Sequence, residues 1–228
     1  MRWMDAGCVL SMAFLPMLGC GGDEGSAEGA EEEEEGEFRI FPTKVHGGFD
    51  GTNAFEAPVV ALGSSGPVQW KIDDPELARL TPSGDGDELM LFSLKAGQSK
   101  LTATNGGKTV SVPVQITMYT PQQYKDGQAR YMMGPDADNP GCMECHGRGK
   151  GPDHTPTEVV EFPDDAIQNT FLTGIDLEGR PLAEETEYAS LLKGKDHKWK
   201  VTEAEKAGLV AYLRALPPMG FPSDDESD

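Results

Sequence analysis

The sequence is poor in cysteine, in aromatic side chains and in bases. Four Cys in 228 residues exclude a small domain stapled mainly by disulfides. No apolar run of about 18 residues follows the N-terminus, which excludes a multi-span helical membrane protein. Lys and Arg number 19 against 39 Asp and Glu, a formal net charge of -20. That deficit argues against nucleic acid as a partner, because phosphate binding needs Lys and Arg to displace counterions. The length fits one domain or two small ones.

The acidity is concentrated at the ends. Residues 20–37 hold nine acidic side chains and no basic one, and Ser223–Asp228 hold four more. Between them lie 25 acids and 18 bases, so the expected folded part is only mildly acidic. Met1-Arg2 followed by the apolar run Ala6–Leu18 reads as an export signal, too short to span a bilayer. Met17-Leu18-Gly19-Cys20 resembles the end of a bacterial lipoprotein signal, which implies lipidation at Cys20 and a membrane partner through that anchor. Ordinary signal cleavage nearby is the alternative. Residues 20–37, with Glu31–Glu35 as a block, bury no apolar surface and are expected to be a disordered acidic linker.

Cys8 would leave with the signal, so Cys142 and Cys145 remain as a pair. They lie in Cys142-Met143-Glu144-Cys145-His146, and C-x-x-C-H spacing reads as c-type haem attachment. Two thiols at that spacing suit two haem vinyl groups, and the adjacent imidazole suits the iron. Three rival readings stand beside it. A thioredoxin-like redox pair belongs in a βαβ setting, a zinc site needs further ligands, and a structural disulfide leaves His146 unexplained.

On this motif and on Leu209–Leu216, residues 119–222 resemble a mono-haem cytochrome c domain. The resemblance implies an all-α fold, one covalent haem c and a last helix packed across the first. It also implies a backbone carbonyl, at Pro152 or Pro156, receiving the proximal His146 N–H. Helices are expected over Pro121–Met133 and Pro163–Leu172, and after Thr202, where Thr202-Glu203-Ala204-Glu205 forms a capping box. The family usually supplies a Met as second axial ligand shortly before the last helix. This chain has none between Met143 and Met219, and His197 occupies the slot, so His146 and His197 are the expected iron ligands. Met219 is the next candidate, Met132 and Met133 read as core of the first helix, and His154 lies awkwardly close to His146 in sequence. Trp199 suits a haem edge or an ordinary core position. The Lys193, Lys195, Lys198, Lys200 cluster suits a solvated loop or docking of an acidic redox partner protein.

Residues 38–118 differ in kind, with eight acids, seven bases and no Cys. Val110, Val112, Val114 and Ile116 alternate with polar residues, Asn105-Gly106-Gly107 reads as a hairpin turn, and Val68–Ile72 alternates likewise. Pro113 suggests an edge position. The run Val68–Ala78, followed by Ala96–Thr104, resembles bacterial Ig-like domains of the group 2 type, which implies a β-sandwich acting as spacer or docking module. No Ser/His/Asp grouping and no Gly-rich phosphate loop occurs here, and His46 stands alone.

The joint expectation is multidomain: signal peptide 1–19, linker 20–37, all-β sandwich 38–118, all-α cytochrome c domain 119–222 and acidic tail 223–228. The expected activity is one-electron transfer in the cell envelope through covalent haem. Two alternatives remain. One is a haem enzyme or ligand sensor with an open sixth site. The other is a surface binding protein whose Ig-like part is the working module.

Overall fold

The computed structural model describes residues 36–84, 86–148, 151–177, 179–182 and 197–223. The signal, Cys20, nearly all of the acidic linker, Lys193, Lys195 and most of the acidic tail lie outside the described residues.

Eight strands fall between Arg39 and Met118. They are β1 (Arg39–Phe41), β2 (Val45–Phe49), β3 (Glu56–Leu62), β4 (Gln69–Ile72), β5 (Ala78–Ser83), β6 (Glu88–Ser93), β7 (Gly97–Asn105) and β8 (Lys108–Met118). One sheet has the order β1-β3-β6-β5 and the other β2-β8-β7-β4, with β2 parallel to β8. This is the strand order of an Ig-like sandwich. Alternation builds the core: Val59, Leu89, Leu91, Leu101, Ala103 and Val114 point inward from the two sheets and are fully buried. The β7–β8 hairpin turns on Gly106 and Gly107, whose φ values of 55° and 83° are costly for side-chain-bearing residues. Pro113 is not on an edge strand, since β8 lies between β2 and β7. However, β2 pairs with β8 only from Val114 onward, so at Pro113 the second neighbour is missing and no ladder donor is lost.

The second half supplies α1 (Pro121–Met132), α2 (Pro156–Val159), α3 (Asp164–Thr173) and α4 (Glu203–Arg214), with 3-10 turns at Cys142–Glu144 and His146–Arg148. α1 and α4 both begin with reciprocal capping boxes, Thr120 with Gln123 and Thr202 with Glu205. α3 ends at Gly174, whose φ of 72° suits a left-handed cap. α1 and α4 cross backbone to backbone at two glycines. A Cβ on Gly208 would stand 2.6 Å from Gly127 N and 2.7 Å from Gln123 O. Among the described residues no helix is long and apolar enough to cross a membrane.

The expectation of a sandwich followed by a separate all-α domain is corrected here. Glu35–Asp228 form one compact, β-rich unit, and among the described residues no separate all-α cytochrome domain is evident. The cores of the two halves interleave: Val160, just past α2, belongs to the sandwich core, while Phe55 and Tyr119 belong to the helical core. The junction is also polar and specific. Arg214, 2% exposed at the end of α4, donates from Nη1 to His46 O (2.9 Å), from Nη2 to Phe162 O (2.6 Å) and from Nε to Asp164 Oδ1 (2.9 Å). Tyr119 Oη–H donates to Asp164 Oδ2 at 2.7 Å, and His46 N–H to Val160 O at 2.7 Å. The buried guanidinium and backbone groups named here are thus matched across the boundary, where unmatched ones would be costly.

Gly208→Ala is expected to destabilise the protein by about 1–3 kcal/mol, because the added methyl forces two helix backbones apart. Urea unfolding of the variant beside the wild type measures it. An unchanged midpoint would contradict the close crossing.

Candidate functional site

The cysteine pair lies on a loop that α1 and the chain before α4 hold in place. Arg130, buried on α1, donates from Nη1 to Pro140 O at 3.0 Å. Asn139, also buried, accepts from Lys200 N at 3.0 Å, while its own N–H donates to the Asp136 carboxylate at 2.9 Å. The chain then enters its 3-10 turn, with Cys145 N–H donating to Cys142 O at 3.2 Å. Both cysteines are free thiols. Burial pushes the Cys142 thiol up to about 11. It is therefore protonated at neutral pH and a poor nucleophile, which tells against a thioredoxin-like role for the reduced pair.

His146 Nδ1 lies 2.9 Å from Pro152 O. A carbonyl only accepts, so Nδ1 carries the proton and the neutral ring keeps a bare Nε2. Of the two carbonyls expected to receive it, Pro152 does so. The His154 ring stacks on His146 with centroids 3.3 Å apart and 29° between planes. His197 stands 6.4 Å from His146 at 79°. Its Nε2 accepts from Trp199 Nε1 at 3.2 Å, and Trp199 N–H in turn donates to Phe171 O at 2.8 Å. The Nδ1 atoms of His154 and His197 are buried without a hydrogen-bond partner. Burial lowers all three imidazoles, with the charge of neighbouring rings adding to the effect on His154 and His197. His154 falls well below its ordinary value and His197 falls to about 4. The cluster is therefore three neutral rings packed on one another at neutral pH.

The structure brings together Cys142, Cys145, His146 and His197, and adds His154, which spacing alone had set aside. Met219 stands apart, 77% exposed, with its N–H directed at Thr157 Oγ1 (3.0 Å). Met132 and Met133 are 46% and 72% exposed and are not core residues of α1. Trp199 packs in the helical core beside His197.

The expectation of a covalent haem c, with iron between His146 and His197, is corrected. Among the described residues no group of three or more His, Cys, Asp or Glu side chains is placed to hold a metal ion. His154 covers the face of His146, His197 stands edge-on to it, and His197 Nε2 is bonded to Trp199.

No protein-family model matches the chain. No curated protein matches it. Among solved structures it is similar to domains 4 and 5 of the S-layer protein SbsC, with 22% identity over 35% of this chain and 50% of that one, TM-score 0.29. It is also similar to SbsC domains 4–9 (22% identity, 37% of this chain and 14% of that one, TM-score 0.31) and to titin A168–169 (17% identity, 36% and 48%, TM-score 0.28). The chain spans half or less of each of these. The Ig-like assignment rests on the strand order given above.

Alkylation of the folded protein tests the site. Cys142 is expected to react with iodoacetamide about 100-fold more slowly than an unburied cysteine at the same pH, and at the ordinary rate after unfolding. Fast reaction in the folded state would contradict the burial.

Proposed function

We propose that the protein is a binding module of the bacterial cell envelope, in which the Ig-like sandwich docks an envelope protein and the helical half caps it. The observation that carries this reading is the free outer face of the second sheet. Lys71, Thr102 and Ser111 stand in register across β4, β7 and β8, as do Gln69, Thr104 and Thr109. The hydroxyls are already paired, Thr102 with Ser111 at 2.9 Å and Thr104 with Thr109 at 3.2 Å. An ordered polar face loses little side-chain entropy on docking. Lys71 and Lys100 on the same face suit acidic groups on the partner. The far end of this sheet lies under the helical half, so docking there would also orient the Cys142–His146 loop. The export signal supports an envelope location, and lipidation at Cys20 would supply the membrane anchor, with the acidic linker as a tether.

A photo-crosslinking residue at Ser111, in the native host, tests the reading against the same residue at Arg79 on the other sheet. A discrete protein adduct is expected from Ser111 only. Its yield is expected to fall about tenfold when Lys71 and Lys100 are both changed to Glu. Equal yields from both faces would overturn it.

A further inference from the structure

His46 is the one histidine outside the loop cluster, and it sits in the junction between the halves. Its N–H donates to Val160 O at 2.7 Å, and its carbonyl accepts from Arg214 Nη1 at 2.9 Å. The ring is 4% exposed, and its Nε2 has no hydrogen-bond partner. We propose that His46 is an acid-sensitive latch, whose protonation releases the helical half from the second sheet while the sandwich stays folded.

The charges around the ring give the direction. Arg214 from α4 and Lys44 just before β2 oppose a proton on His46, while Asp164 and Asp165 from α3 favour it. On β8 the residue opposite is the uncharged Gln115. Asp164 is already engaged by Arg214 and by Tyr119 Oη–H, so it has little left to offer a second cation. A protonated ring would set an unpartnered N–H and a like charge beside the guanidinium that closes the junction. Burial, first, and Arg214, second, hold the imidazole down at about 4. The closed form therefore prefers the neutral ring. Its advantage is complete above the ordinary histidine value near 6.5 and is lost as pH falls through about 4. Across that range the open-to-closed ratio is expected to rise about 300-fold.

NMR titration of the full chain tests this. The His46 ring is expected to titrate near 4, with the His46 N–H and Arg214 Nε–H signals changing at the same midpoint and the β7–β8 amides unmoved. In His46→Gln the junction signals are expected to stay in place through that pH. Junction opening that persists in His46→Gln would assign the effect to the carboxylates and overturn the proposal. So would a wild-type His46 titrating near its ordinary value with the junction closed, or loss of the β7–β8 signals together with the junction. If His46→Gln does not fold, as its β7–β8 amides would reveal, the coincidence of midpoints in the wild type decides.

Discussion

A single buried guanidinium joins the two halves of this protein. Arg214 closes on one carboxylate and on carbonyls from both sides of the boundary. Burying such a group without partners is costly, and breaking a buried pair typically costs about 3–5 kcal/mol. Partial separation would strand the charge, so the helical half and the sandwich are coupled through it. The interleaved apolar contacts of Phe55, Tyr119 and Val160 supply area, and Arg214 supplies the fixed orientation.

That coupling gives the rest of the molecule its geometry. α4 is pinned to the sandwich at its C-terminal end and to α1 at the Gly127–Gly208 crossing. α1 holds the cysteine loop through Arg130, and the segment leading into α4 holds it through Lys200 and Asn139. The imidazole cluster is therefore mounted on the same frame as the open sheet face. A partner seated on that face would meet the loop in a set orientation.

The strands were readable because burial alternates along them: Val110 to Ile116 and the Asn105-Gly106-Gly107 turn state one hairpin almost without context. The last helix was readable for a local reason too, its Thr202–Glu205 capping box. The short helix at Pro156 carries the same Thr-Pro opening as α1, but its four residues give no period to read. Arg214 was missed because a lone base in a helix normally reaches water. The signal available was its setting, with Leu213, Ala215 and Leu216 beside it in an apolar run. Separation into two domains was inferred from a change of composition, and composition carries no information about a junction closed by single residues. At the site, spacing placed His146 beside the cysteines and brought His197 to the same place. It did not reveal that His154 covers one ring or that Trp199 occupies the other's Nε2, because both depend on chain folding over tens of residues.

Differential scanning calorimetry of the full chain at neutral pH, beside Arg214→Leu, tests the coupling most directly. The account predicts one cooperative heat-absorption peak in the wild type, spanning both halves. In the variant it predicts that the helical half melts first. Two separate transitions in the wild type, or an unchanged single transition in Arg214→Leu, would contradict it.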